Sequence, residues 1–156
     1  MTAVETVPTG GEQTSAVEEP KTKRGVKAVG IASIVLGVIM MVAGAFAWIE
    51  VGNQLAEENI TVSADAEYFA GEPVEGPFTA FVQAGVINDH ALEATGGQTY
   101  AELDRDDPLR DVAKDASYLR TSLFASVIAF GVSALVVGSG LLFTAIGGAL
   151  TRLSRP

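Results

Sequence analysis

The chain has 156 residues, 48% of them hydrophobic, and a formal net charge of −9. It contains no cysteine, which excludes disulfides, thiolate metal sites and cysteine nucleophiles. A surface that binds nucleic acid is basic, and this charge balance provides no such face, so nucleic acid is not an expected partner.

Two stretches of the sequence are long and apolar enough to cross a bilayer. Between Arg120 and Arg152 there are 31 residues without a charge, and an earlier stretch, 28–49, has 22. A hydrocarbon core of about 30 Å takes about 20 helical residues, and a helix satisfies every backbone N–H and C=O within one segment. The sequence therefore predicts an all-α membrane protein, with transmembrane helices at 27–50 and 119–150 packed as an antiparallel hairpin.

The N-terminal region predicts a tail without regular structure that leads into the first span. Residues 1–20 are rich in Thr, Glu, Gly and Pro and show no apolar periodicity, so we expect 1–26 to be disordered. Positive residues that flank a span stay on the cytoplasmic side of a membrane. Both termini, including the short tail 151–156, are therefore expected in the cytoplasm of a bacterium, at its plasma membrane. The flanking residues are Lys21, Lys23, Arg24 and Lys27 before the first span and Arg152 and Arg155 after the second.

A secretory signal peptide is the alternative interpretation of the first span. The basic residues, the apolar stretch and Ala45-Phe46-Ala47, which resembles a cleavage site, are the features of such a signal. The apolar core of a signal peptide has about 7–15 residues, however, and this stretch has 22. The length favours an uncleaved membrane anchor.

The 68 residues between the spans, 51–118, predict a small, acidic and mostly helical extracytoplasmic domain. They contain 14 acidic and three basic residues, which gives this segment a net charge of −11. One helix is expected at 79–94, with Thr79 as its N-cap and Gly96-Gly97 as its stop. A second helix is expected at 108–118, because Asp107 followed by Pro108 is typical of a helix start. We expect this second helix to continue into the second span.

Small residues recur every seven positions in both predicted spans. Helices in lipid associate by close packing, and small residues allow their backbones to approach. The two series in the second span differ by two positions, or about 200° around a helix. One series can therefore meet the first span, and the other faces elsewhere, either toward another membrane subunit or simply as residues common in membrane helices. The series are Gly30, Gly37 and Gly44 in the first span, and Gly131, Gly138 and Ala145 together with Ser126, Ser133, Gly140 and Gly147 in the second.

The sequence lacks the residue sets that catalysis requires. The single histidine, His90, does not assemble a histidine metal site, and we expect it on a helix surface. The acidic run at 104–107 lacks the spacing of a calcium-binding loop, no glycine-rich phosphate loop is present, and no serine has a paired base. The spans contain no ionisable residue at depth, which transport usually requires. We therefore predict a protein that is not an enzyme, with no cofactor and no metal.

One segment of the chain resembles a known family. The stretch 76–138, and within it ATGGQTYAEL and LRTSLFASV, is similar to a family of short two-span membrane proteins of actinobacteria, and the likeness extends over about 27–150. Members often carry the label of aromatic ring-opening dioxygenase subunit. Iron in such an enzyme needs histidine and carboxylate ligands that His90 alone does not supply. The resemblance therefore implies topology and bacterial origin, and no catalytic residues.

These features predict an integral membrane protein that acts as an accessory or scaffolding subunit of an envelope or membrane complex. Its expected partners are the lipid bilayer and a protein, or a second copy, bound through the transmembrane helices. The alternative is a small membrane sensor or ligand-binding protein that uses the acidic loop. A ligand site takes a pocket of about 300–1,000 Å³, and 68 residues barely enclose one.

Overall fold

The computed structural model describes residues 21–155, with side chains from Lys23 onward. These residues form three helices, α1 (Lys21–Glu57), α2 (Pro77–Ala94) and α3 (Arg110–Leu153). Within 21–155 the β pairing consists of one isolated antiparallel bridge between Thr61 and Pro73. The all-helical class is therefore confirmed. Of the tail expected to be disordered at 1–26, residues 1–20 lie outside the described residues, and residues 21–26 are helical and belong to α1.

The first helix extends beyond both ends of the predicted span 27–50. It begins at Lys21 and continues through Glu57, because the last turn, Gln54 to Glu57, consists of good helix formers and no proline interrupts the segment. Asn59, with φ of 51°, then takes the left-handed conformation that ends a helix. Its side-chain amide donates to the carbonyl of Glu57 at 2.8 Å.

The second helix begins two residues before its predicted start. Gly76 is the N-cap and Pro77 occupies the first helical position, where its missing N–H costs nothing. Thr79, the expected N-cap, lies in the first turn; its hydroxyl accepts from the Gly76 N–H and donates to the Gly76 carbonyl. Downstream of Ala94, the glycines at 96 and 97 have φ of 67° and 87° and turn the chain away.

The third helix begins two residues later than its predicted start at Pro108. The Asp107 carboxylate accepts from the N–H of Leu109 at 2.8 Å, so the expected cap forms a turn before the helix. The helix itself begins at Arg110 and continues without interruption to Leu153, past the glycine pair at 147–148. Its 44 residues correspond to about 66 Å.

The two long helices pack side by side in opposite directions. Gly30 lies against Gly147, Gly37 against Gly140, and Gly44 against Ser133, so residue numbers rise along one helix as they fall along the other. Farther along, the Trp48 and Phe130 rings pack edge to face with centroids 4.8 Å apart. This order brings the basic N-terminal end of α1 and the basic C-terminal end of α3 to the same end of the pair.

A small core joins the other end of the helix pair to α2. The α2 helix packs on the first half of α3, where Phe81 and Phe124 meet edge to face at 5.9 Å. The segment between α1 and α2 is fixed to α2 by a hydrogen bond from the Ser63 N–H to the Gln83 side chain at 2.9 Å. The buried core residues are Leu55, Val62, Val74, Ala80, Ala84, Leu123 and Phe130.

Candidate functional site

One series of small residues on α3 forms the contact with α1. Gly140 and Gly147 are buried there, and Ser133 is 4% exposed. A Cβ atom on Gly37 would lie 2.5 Å from the Gly140 carbonyl oxygen and 2.8 Å from the backbone N of residue 144. Both are backbone atoms, so only glycine permits this approach. The Ser133 hydroxyl donates to the Ala129 carbonyl of its own helix and is satisfied without a partner from α1.

The other series on α3 faces away from α1. Gly131 and Gly138 have open space where a Cβ atom would be, and Ala145 is exposed. Gly138 lies in an apolar groove of about 520 Å³ between the two long helices. The groove is lined by Ala45, Trp48, Ile49, Ala134, Val137, Gly138 and Leu141.

Burial in the structure distinguishes the two series. Three residues before each small residue of the buried series stands a side chain that also faces α1, and among these Leu123 and Phe130 are buried. Three residues before Gly131 and Gly138 stand Ile128 and Leu135, which are exposed. Both series alternate larger and smaller residues at spacings of three and four, so this heptad pattern is common to them and only burial separates them. Ser126, the outermost member of that series, is half-buried beside Leu123.

The basic residues at the ends of the long helices form one exposed charged end. Lys23, Arg24 and Lys27 are exposed on the first turns of α1, and Arg152 and Arg155 are exposed at the end of α3. Lys21 is the first residue of α1. Since the helices pack in opposite directions, these residues all lie at the end of the pair opposite to α2.

The single histidine pairs with a carboxylate of the preceding loop. His90 Nε2 on α2 lies 2.7 Å from Asp65 Oδ2, and both side chains are exposed. The hydrogen bond with Asp65 raises the pKa of His90 above its ordinary value, and the same bond lowers the pKa of Asp65. An open cleft of about 340 Å³ lies beside this pair and is bounded also by Glu67 and Asp89. Within 21–155 no group of three or more histidine and carboxylate side chains could hold a metal ion.

Two arginines of α3 that sequence reasoning did not single out lie on the side of the helix toward α2 and the turns that follow it. Arg110 lies over the ring of Tyr100 at 4.1 Å and donates to the carbonyl of Leu103. Arg120 lies over the ring of Phe124 at 5.9 Å and lines a cavity of about 40 Å³ between α2 and α3. An arginine that directly borders a charge-free apolar run is the signal that could have identified Arg120.

Comparisons of the chain with protein-family models, with curated proteins and with solved structures found no match. The likeness to the actinobacterial two-span family rests on the sequence segment alone. The function is therefore inferred from the arrangement of the chain's own residues.

Proposed function

We propose that this chain is an integral membrane protein whose α1 and α3 helices cross the bilayer together. Both helices are long and apolar enough to do so, and only 17% of the residues in the most apolar stretch of each are buried. The core helix of a water-soluble protein is covered by its neighbours, whereas these helices expose leucine, isoleucine, valine and phenylalanine over most of their surface. Lipid is the environment that accepts such a surface.

The charges support an orientation with both chain ends in the cytoplasm. The basic residues of both helices lie at one end of the pair, where the positive-inside rule assigns the cytoplasm. The acidic domain lies at the opposite end and is then extracytoplasmic. The packing of α1 on α3 from Gly30 to Trp48 supports a retained anchor over a cleaved signal.

We further propose a non-enzymatic role as an accessory or scaffolding subunit of an envelope or membrane complex. The observation that carries this proposal is the outward series of small residues. Gly131 and Gly138 of this series are not covered by another helix within residues 21–155, whereas the buried series packs on α1. A neighbouring transmembrane helix can place its backbone close to Gly138 and fill the apolar groove beside it. The acidic domain, with its net charge of −11, would steer a basic partner to the same side.

Association in native membranes tests this role. We expect wild-type protein, crosslinked in membranes or extracted in mild detergent, to migrate as part of a larger species by native electrophoresis. Gly138→Leu fills the groove and should shift the protein to its monomeric position. Mass spectrometry of the crosslinked species distinguishes a second copy from a different subunit.

A matched control is available on the opposite side of the pair. Ala32→Leu adds similar bulk to an exposed position of α1 that does not line the groove, and it should leave the larger species intact. A monodisperse wild-type monomer with nothing attached would contradict the accessory role. So would equal migration of the Gly138→Leu and wild-type proteins as the larger species.

A ligand-binding role for the acidic domain is the second candidate, and the cleft beside His90 and Asp65 is the observation that favours it. Thermal unfolding of the full chain with divalent cations and small envelope metabolites tests this role. A stabilising shift that disappears in His90→Gln would support it, whereas unchanged melting with every compound would count against it.

A further inference from the structure

The two long helices have charge-free stretches of different length that begin at the same end. The stretch of α1 has 22 residues, or about 33 Å, which matches a hydrocarbon core of about 30 Å. The stretch of α3 has 31 residues, or about 46 Å. Since Lys27 and Arg152 lie at the same end of the pair, the outer part of the α3 stretch, about nine residues, extends beyond the hydrocarbon core.

The first turn of α2 lies at the level where the α1 stretch ends. Trp48 immediately precedes Ile49, the last residue of that stretch, and the Trp48 ring packs on Phe130. Four residues later, a Cβ atom on Gly52 would lie 3.2 Å from the carbonyl oxygen of Glu75, which immediately precedes the N-cap of α2. Four helical residues correspond to about 6 Å, and the headgroup layer on each side of a bilayer is about 5–7 Å thick. The start of α2 therefore falls within the headgroup layer.

The charges of α2 are distributed as this position requires. The 13 residues from 76 to 88 carry no charge, whereas Asp89, His90 and Glu93 all lie in the distal half of the helix. The helix runs opposite to α3, since Phe81 meets Phe124 while Ala94 and Val112 line one groove. Its uncharged half is therefore the half nearer to the membrane.

The uncharged half of α2 also exposes two aromatic rings. Phe78 is 74% exposed and Phe81 is 58% exposed, and three residues apart they lie on one side of the helix. Ile128 of α3, at nearly the same level, is 67% exposed, so the rings continue the apolar surface of the long helices.

We propose that the first turn of α2 is seated in the outer-leaflet headgroup layer, with Phe78 and Phe81 in contact with lipid. This inference rests on the proposed membrane crossing of α1 and α3, and it is independent of docking at Gly138. With the first turn of α2 in this position, the acidic domain lies against the bilayer surface. The charged distal half of α2 faces water.

Spin labels at single cysteines test this seating, because the natural chain contains no cysteine. The variants Phe78→Cys and Phe81→Cys are made in the full chain, labelled with a nitroxide and reconstituted into phosphatidylcholine nanodiscs. Oxygen concentrates in lipid and a water-soluble nickel chelate in water, so the ratio of their collision rates reports depth. We expect a ratio at both positions several-fold above that of Glu93→Cys, at the distal end of the same helix.

A label at Val42→Cys, a 65% exposed position within the α1 stretch, separates the two proposals. If Phe78 and Phe81 give the ratio of Glu93 while Val42 gives a lipid value, the seating is wrong and the membrane crossing stands. A nickel-accessible Val42 would overturn both. Protection of Phe78 from both reagents would mean that protein covers it, which also overturns lipid contact. Phe81 packs on Phe124, so Phe81→Cys can fail to fold. In that case the label at Phe78→Cys alone decides the test.

Discussion

At the scale of single residues, Gly37 and Gly138 differ in whether the structure leaves room for a side chain. Gly37→Ala places a methyl group against backbone atoms of α3, which cannot move without separating the helices. We expect it to lower the free energy of unfolding by about 1–3 kcal/mol, the usual cost of overpacking. Gly138→Ala adds the same methyl group where there is open space and should not lower the value. Equilibrium unfolding in mixtures of dodecyl maltoside and SDS measures both, and equal losses would contradict the packing described for α1 and α3.

The glycine within α2 offers a change in the opposite direction. Gly85 lies inside the helix, and a Cβ atom there would meet nothing within 4 Å. Gly85→Ala should therefore raise the free energy of unfolding by about 0.5–1 kcal/mol, because alanine loses less backbone entropy in a helix. The same unfolding measurement checks this, and a destabilised variant would show that the site is more crowded than the structure has it.

The pair of His90 and Asp65 predicts a pH dependence of defined sign. The raised pKa of His90 contributes stability below the ordinary value of 6.5, which is lost as pH rises through the folded-state pKa. The lowered pKa of Asp65 contributes stability above 3.8, which is lost as pH falls through its folded-state pKa. The pair therefore stabilises the domain most between these two pH values.

The single histidine makes this prediction simple to measure. We expect the NMR titration midpoint of His90 in the full chain to lie above 6.5 and to fall in Asp65→Asn, since Asp65 is the main cause of the shift. Glu93→Gln removes a more weakly coupled carboxylate and should move the midpoint less. A midpoint that is insensitive to Asp65→Asn would show that the pair does not form.

At the scale of elements, α3 has a buried and an exposed face within one turn. Phe130 is 1% exposed and joins the core to the Trp48 ring, whereas Ile128 faces outward. We expect Phe130→Ala to cost about 3–5 kcal/mol of unfolding free energy, as for other large core side chains. Ile128→Ala should cost much less. Comparable losses in detergent unfolding would place the core of the domain elsewhere.

The ends of the helices show what local sequence predicts and what it does not. Apolar length and the glycines after Ala94 indicate where helices exist and where α2 ends. The starts of α2 and α3 each differ from expectation by two residues, because threonine and aspartate can cap from more than one position. Thr79 bonds to Gly76 from inside the first turn, and Asp107 closes a turn before Leu109. Such alternatives depend on the path of the incoming chain, which a local pattern does not contain.

The same limit applied to the two small-residue series on α3. Their seven-residue period was visible in the sequence, but spacing alone left open which series met α1. In the structure Leu123 and Phe130 lie in the buried core, and the series that contains Ser133 faces α1. Ile128 and Leu135, beside the other series, are equally apolar but exposed. The choice therefore depends on tertiary contacts of residues outside the series.

At the scale of the whole molecule, the absence of cysteine permits a direct test of orientation. We expect Gln98→Cys, on the exposed turn after α2, to react with a membrane-impermeant maleimide in intact cells. Arg155→Cys, at the basic end, should react only after the cells are broken. The reverse pattern would contradict the positive-inside assignment, and reaction of both in intact cells would contradict the two crossings.

The interior of the acidic domain was the part least predictable from sequence. Its core combines residues that are far apart in the chain, such as Leu55, Val74 and Ala84, without a shared period. The bridge between Thr61 and Pro73 and the bond from Ser63 to Gln83 are likewise non-local. The long apolar helices need only their own composition to be recognised, whereas this core exists only once the chain has folded back on them.

The uninterrupted course of α3 has a mechanical consequence. The helix contains no proline and continues from the acidic domain to the basic end as one element of 44 residues. A push or twist on its first turns would therefore reach its last turn, about 66 Å away, as movement of a single stiff lever. A sideways displacement of the domain would therefore move Arg152 as well, because no break in the helix separates them.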